Sequence, residues 1–334
     1  MDFSSDEEEP EDNDSLKSED ITLNYVLTRL SISGLDRTDQ VYLQAISESL
    51  STSIPAGVDE CGVAFLFAFS HLNYVKKYGR SGDKEVDSAA ASWAFHSQSQ
   101  AELISLIGDC CRLDWNRIRS SALPLWCREN LLCRQLIEKL ARAEFQRSKD
   151  PMTAAIWFCI LRKEKVLAGL FKSVKNVKMA EFFGNDFKTE RWRGAALKNG
   201  YALLGHRRYY DAIAFFLLGS SLKDAIDIAL NRLQDKQLAL LIAMLYKGDT
   251  ERLNLVSQYA NDSADPFIHS LFHWMSGSYV AAVTEFLSNN HDFNDSTIYS
   301  FYRFICKHPL YIKALSIEGW DQNFLERFYL KSKF

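Results

Sequence analysis

Helix breakers are scarce in this chain: 15 glycines and six prolines punctuate 334 residues. Long stretches therefore lack both the backbone freedom of glycine and the missing amide of proline, the two local features that most often end a helix. An all-β chain of this length would need far more turn residues. The fold class that follows is all-α, and the expected architecture is an irregular α-solenoid of stacked helical hairpins.

Periodicity carries the same reading. In Leu222–Leu233 the apolar residues Leu222, Ala225, Ile226, Ala229, Leu230 and Leu233 recur at the spacing of one helix face, with Lys223, Asp224, Asp227, Asn231 and Arg232 outside it. Gly219 ends the helix before, Ser221 is placed to cap this one and Asp235 the next, and Gly248 follows the third. Helices this close in sequence pack antiparallel. Asp150-Pro151 and Asp265-Pro266 are two further helix starts, Asp capping free amides and Pro filling the first helical position.

Elsewhere, Gln40–Leu50 and Asp59–Tyr78 read as helices split by Ile54-Pro55-Ala56-Gly57. Gly79–Asp83 reads as a polar loop, Ser88–Phe95 and Gln100–Asp109 as a broken pair, and Leu123–Arg147 as one long helix. Tyr209, Ala212 and Phe216 share their spacing with Tyr279, Ala282 and Phe286, a pattern resembling the first helix of a tetratricopeptide-like hairpin.

Charge is unevenly spread. Met1–Asp20 holds ten acidic residues against Lys17 alone, too little apolar surface to fold, so residues 1–32 are expected to be a disordered acidic tail and 33–334 the helical scaffold domain. Ser4, Ser5, Ser15 and Ser18 sit among those acids, a setting acidophilic kinases favour. Residues 161–210 hold twelve basic and four acidic residues, a balance of +8. Nucleic-acid binders show a basic domain or a known module; here the sequence pI is about 6.0, so the basic stretch reads as a solvated face or one that meets an acidic protein partner. No apolar run approaches a membrane span, and the acidic start lacks the form of a secretory signal. Seven cysteines without a C-x-x-C fit reduced thiols of a cytoplasmic protein.

Catalytic patterns are missing. No phosphate-binding glycine loop and no nucleophile elbow occurs, so no catalytic residue and no cofactor is expected. His269 and His273 have the i, i+4 spacing of metal ligands, but Ser270, Leu271 and Phe272 lie between them and no Glu is adjacent. Packed histidines are the better reading, and no metal site is assigned. Cys110-Cys111, as neighbours, read as small buried residues.

One segment is too particular for a generic helix. Phe182-Phe183-Gly184-Asn185-Asp186-Phe187 leads into Glu190-Arg191-Trp192-Arg193 and Ala195–Asn199, followed by Ala214–Leu218 and Ser221–Ile226. This run resembles the C-terminal region of the RAVE scaffold subunit and its animal relatives, the DmX-like or rabconnectin proteins. Ser33-Gly34-Leu35-Asp36, Trp93–Ser97, Phe145-Gln146-Arg147, Asp265-Pro266-Phe267 and Cys306–Leu310 extend the resemblance from about residue 33 to the end.

The resemblance implies a non-catalytic platform that promotes assembly of V-type proton-transporting ATPases, and so acidification of vacuoles, endosomes and vesicles. Implied partners are pump subunits and a Rogdi-like companion, with cytoplasmic location and recruitment to membranes through partners. An adaptor of a vesicle coat or tether is the alternative for such hairpins. The family carries WD-repeat propellers that have no counterpart here, and Asn323–Phe334 reads as a helix without a terminating Gly or Pro. A piece of a larger scaffold, or a divergent short paralogue, is therefore expected. Asp186, Glu190, Arg191, Trp192, Arg193, Lys198, Lys223 and Asp224 are the candidate partner surface. The other reading makes Trp192 a buried joint anchor, with Arg191 or Arg193 paired to Asp186 or Glu190.

Overall fold

The computed structural model describes residues 26–27, 33–77, 84–109, 112–288 and 296–318. Expectations for the acidic tail, the loop at 79–83, Cys110-Cys111 and the helix at 323–334 lie outside those residues, Val26 and Leu27 excepted. Among the described residues every regular element is a helix. In chain order they are α1 (Arg37–Ala56), α2 (Glu60–Lys77), α3 (Ser88–His96), α4 (Gln100–Gly108), α5 (Trp115–Ser120), α6 (Leu123–Trp126) and α7 (Asn130–Ser148). The middle of the chain gives α8 (Pro151–Ile160), α9 (Glu164–Ser173), α10 (Val177–Gly184), α11 (Glu190–Gly205) and α12 (Tyr209–Leu218). Then come α13 (Leu222–Asp227), α14 (Lys236–Ile242), α15 (Asp249–Asn261), α16 (Pro266–Met275), α17 (Tyr279–Ser288), α18 (Ser296–Cys306) and α19 (Pro309–Glu318).

Successive helices pack as hairpins, among them α1/α2, α7/α8, α9/α10, α11/α12 and α16/α17. The all-apolar runs occupy the centre: Ala212–Leu218 of α12 and Leu238–Leu245 in and after α14 are buried throughout, as helices apolar on every side must be. One contiguous core runs from Phe65 to Tyr311.

Five joints share one construction. After α8, α9, α11, α12 and α16 the chain uses three residues, the middle one left-handed: Arg162, Lys175, Arg207, Ser220 and Gly277. In each joint the third residue's N–H reaches back five positions, Lys163 to Phe158 O, Asn176 to Phe171 O, Arg208 to Leu203 O, Ser221 to Phe216 O and Ser278 to His273 O, at 2.8–3.0 Å. These bonds satisfy helix-end carbonyls that would otherwise have no partner. Gly219, expected as the helix terminator, is not the left-handed residue. Its φ is -74°, and a Cβ there would meet Leu197 Cδ2 at 2.5 Å. A side chain at 219 would have to displace Leu197 of α11, while Ser220 makes the turn.

Capping at the Asp-Pro starts is as expected: Asp150 accepts from Met152 N and Asp265 from Phe267 N, both at 2.9 Å. Asp235 caps α14 through Leu238 N. Ser221 does not cap α13; its hydroxyl donates to Asp224 Oδ2 at 2.6 Å.

Three further expectations are corrected. The Tyr-x-x-Ala-x-x-x-Phe segments form α12 and α17, each the second helix of its hairpin rather than the first. Leu222–Leu233 does not stay α-helical: a π-helical turn at Ile228–Arg232 follows α13. The buried positions are Ala225, Ile228 and Ala229, with Ile228 2% exposed, while Leu222, Ile226 and Leu230 are only half-buried. A second π-turn, Ala243–Lys247, follows α14.

The long helix expected over Leu123–Arg147 is broken at 127–129 into α6 and α7. Arg252 of α15, 3% exposed, donates Nη1 to Cys127 O at 2.7 Å and Nη2 to Leu125 O at 2.8 Å. Buried Gln100 donates to Trp126 O and accepts from Arg128 N at 2.9 Å. Three consecutive carbonyls are thus satisfied from other helices instead of by the next turn. Trp115 Nε1 donates to buried Asp235 at 2.8 Å, Ser88 bonds Asp265, and Gln237 bonds Glu85. Residues 85–128 are therefore tied along 235–265, and α3 also packs on α16. The hairpin stack is closed by these cross-ties, beyond the neighbour-only contacts of a simple solenoid.

Two predictions follow from this packing. Arg252→Lys loses the planar fork that spans two carbonyls, and should lower unfolding stability by roughly 3 kcal/mol in urea titrations. An unchanged midpoint would show that the tie is dispensable. His96 is 5% exposed, packed by the rings of Trp274, Phe301, Phe304 and His308. Burial first, then His308 and Arg128, pull its pKa from 6.5 down to about 3. The folded state keeps this imidazole neutral while the unfolded chain protonates near 6.5. Its contribution is whole above pH 6.5 and is lost as pH falls toward 3, about 2 kcal/mol between pH 7 and 5. His96→Gln should flatten the stability-versus-pH curve over that window, leaving the smaller same-direction share of His308.

Candidate functional site

The motif segment forms the joint between α10 and α11 and the outer face of both. Phe183 is fully buried and stacks on Phe171 at 5.2 Å with an 8° interplanar angle. Phe182 is half-buried and meets Phe187, Trp192 and Phe215 at ring distances of 5.4, 6.1 and 5.5 Å. Asn185 Nδ2 donates to the carbonyls of Glu181 and Phe182 and so closes α10. Asp186 Oδ1 accepts from Lys188 N at 3.0 Å, and its carbonyl takes the Thr189 hydroxyl at 2.8 Å. Asn-Asp-x-Lys-Thr therefore sets the joint by local side-chain bonds.

The candidate residues divide by role. Trp192 is half-buried: its edge contact with Phe182 supports the anchor reading, and the Arg191 guanidinium stands 5.2 Å from its ring centroid. Asp186, Glu190, Arg191, Arg193, Lys198 and Lys223 are exposed. Among the described residues no ion pair joins Asp186 or Glu190 to Arg191 or Arg193, so the suggested pairing is absent. Asp224 is half-buried; besides Ser221 it accepts from Tyr201 of α11 at 3.5 Å, which links α11 to α13. Trp192 and Asp224 are thus half-buried against neighbouring helices, and the other six stand on the surface.

The basic stretch is wholly on the outside. All twelve Lys and Arg of residues 161–210 are exposed. Of these twelve, only Lys163, with Glu138, and Arg208, with Asp211, make ion pairs among the described residues. Arg162 instead lies over Tyr246, 4.2 Å from its centroid. Sequence reasoning missed a groove of about 450 Å³ between α8, α10, α11 and α12. Its floor is apolar, from Met152, Met179, Phe182, Leu203 and Phe215, and Lys178, His206 and Arg208 stand at its rim. The signal was there in part, since Phe182 belongs to the motif, but only the fold brings Met152 beside it. A neighbouring cavity of about 510 Å³ shares Met152 and Arg208. Its charges are internally matched, by Arg112 with Asp114 and by Arg147 with Glu144.

The histidine pair gains a carboxylate that the sequence did not reveal. Glu285 of α17 lies 3.3 Å from His273 Nε2 and 3.9 Å from His269 Nδ1, while His269 Nε2 sits 2.8 Å from Ser263 O. Among the described residues no group of three or more His, Cys, Asp or Glu is arranged to hold a metal ion. The described cysteines are free thiols, and burial pushes that of Cys61 up to about 12.

Comparison with known proteins resolves the family. Residues 1–318 match the family described as RAVE protein 1 C terminal. The chain belongs to this family. The match begins at residue 1, so it includes the acidic segment that the motif resemblance left out. DmX-like protein 1 of Mus musculus is 32% identical over 334 residues, covering 86% of this chain and 11% of that protein. The human DmX-like protein 1 is 32% identical over 333 residues with the same coverage. Regulator of V-ATPase in vacuolar membrane protein 1 of Saccharomyces cerevisiae is 34% identical over 245 residues, 70% of this chain and 17% of that protein. The chain thus spans a small part of these relatives.

The two readings of the motif separate under mutation. Phe183→Ala, at a fully buried ring, should cost roughly 3–5 kcal/mol. Trp192→Ala, at a half-exposed one, should cost roughly 1–2 kcal/mol, measured by thermal and denaturant unfolding. Equal losses would make Trp192 a core residue and remove it from the surface.

Proposed function

We propose that this chain is a non-catalytic scaffold segment of a RAVE-like complex that promotes assembly of V-type proton-transporting ATPases and hence acidification of vacuoles, endosomes or vesicles. One observation carries the reading: the chain belongs to the RAVE protein 1 C-terminal family and is 34% identical over 245 residues to a yeast protein named as a regulator of V-ATPase in the vacuolar membrane. The closed helical stack of the described residues between 33 and 318 would act as one platform, meeting V-type ATPase subunits and a Rogdi-like partner through surface rather than through an active site. The exposed, mostly unpaired cations of residues 161–210 support a protein-docking role.

Asp186, Glu190, Arg191, Arg193, Lys198 and Lys223 are the surface candidates, with Trp192 and Asp224 shaping the ground beneath them. No described helix is long and apolar enough to cross a membrane, and recruitment from the cytoplasm to vacuolar, endosomal or vesicle membranes would run through partners. Affinity purification of the tagged chain, beside a longer relative containing the same region, tests the reading. Pump subunits or a Rogdi-like protein should co-purify with both, and Arg191→Glu/Arg193→Glu should reduce recovery several-fold without loss of folding. Coat or tether subunits in their place, or no pump subunit even with the longer protein, would overturn it.

A further inference from the structure

The groove between α8, α10, α11 and α12 is an apolar surface without a described occupant, and it lies inside the most basic part of the molecule. Met152, Met179, Phe182 and Leu203 remain half-buried there. Two methionines in the floor let it adapt to an inserted ring. At the rim, Lys178 makes no ion pair among the described residues, and Lys175, at the joint before α10, is likewise exposed and unpaired. An occupant that suits this site has one bulky apolar side chain followed closely by carboxylates.

The chain itself contains such a segment. Residues 2–12 read Asp-Phe-Ser-Ser-Asp-Glu-Glu-Glu-Pro-Glu-Asp: seven acids, no base and a single aromatic, Phe3. Its charge complements the +8 balance of residues 161–210. Length permits the contact. Leu27 is buried, 3% exposed, and the 24 residues from Phe3 to Leu27 can span up to about 80 Å. A tethered segment also acts at an effective concentration on the order of millimolar, so a weak site suffices.

We propose that this groove takes the chain's own segment 2–12, with Phe3 on the Met152, Met179 and Phe182 floor and the acidic run along Lys178 and its basic neighbours. The segment then masks the cationic face until a competing acidic partner displaces it. Phosphate added at Ser4 or Ser5 would place more negative charge beside the anchor and alter that competition. The inference stands on the groove and the charges, and is independent of the pump-assembly reading.

Photo-crosslinking in the full chain tests it. With p-benzoylphenylalanine in place of Phe3, irradiation should join position 3 to Met152 or Met179, mapped by peptide mass spectrometry. The yield should not change on tenfold dilution, as expected of an intramolecular contact. It should fall several-fold in Lys178→Glu, an exposed site whose change leaves the core intact. Raising salt from about 0.1 M to about 1 M, which shortens the screening length from about 10 Å to about 3 Å, should also lower it. Crosslinks outside the groove, crosslinks between isotopically distinct copies, or none at all would overturn the proposal.

Discussion

The guanidinium of Arg252 organises the molecule more than any other single group. It lies buried with its two terminal nitrogens on the carbonyls of Leu125 and Cys127. In an uninterrupted helix those carbonyls would accept the amides four residues on. Taken from outside, and joined by Gln100 on Trp126 O, they release the chain to turn between α6 and α7. The turn lets α6 lie against α14 and α3 against α16. A buried cation is a poor source of net stability compared with a well-packed apolar side chain. Its content is geometric, because only one alignment of residues 85–128 along 235–265 gives every one of these carbonyls a partner.

The hairpins are held by a different, local device. Each three-residue joint places one residue in the left-handed region, a conformation that costs an L-residue roughly 1–2 kcal/mol, and offsets it with backbone bonds that end the helix. Arg162, Lys175, Arg207 and Ser220 do this without glycine. Their side chains point the joint toward water, so three of the four add cations to the basic face. Joint geometry and surface charge are thus set by the same residues. Gly219 shows the converse, a glycine with the Leu197 side chain close against it and free of any unusual φ.

These two devices explain what the sequence revealed and what it hid. Asp150-Pro151, Asp265-Pro266 and the Asp235 cap were legible because a capping carboxylate acts on amides two or three residues away. The all-α class was legible from breaker scarcity and periodicity. The break inside 123–147 was not, since Arg252 lies more than a hundred residues from the carbonyls it takes. The π-turn at Ile228–Arg232 escaped for a related reason: a period of 3.6 fitted to the apolar residues has no place for an extra residue in one turn. At the candidate surface, the motif falls on the joint between α10 and α11, and burial separates half-buried Trp192 and Asp224 from their exposed neighbours only in three dimensions. The groove beside them depends on Met152, thirty residues away from Phe182, and no local pattern announces it.

The basic face presents an energetic asymmetry that bears on its use. Like charges crowded on a folded body oppose compaction, and among the described residues most of the twelve cations of residues 161–210 make no ion pair, even though carboxylates elsewhere are drawn into pairs, as Glu138 is with both Arg142 and Lys163. Three of the five left-handed joint positions carry Arg or Lys, so the joints themselves add to this charge. Beneath those cations the core is closed around Phe183, Phe216 and the α12 run, so a bound segment need not reorganise the interior. What changes on binding is confined to the groove floor and the charges at its edge. An apolar slot edged by exposed cations gains affinity from carboxylates, whether of residues 2–12 or of a partner that displaces them, without a change in the core beneath.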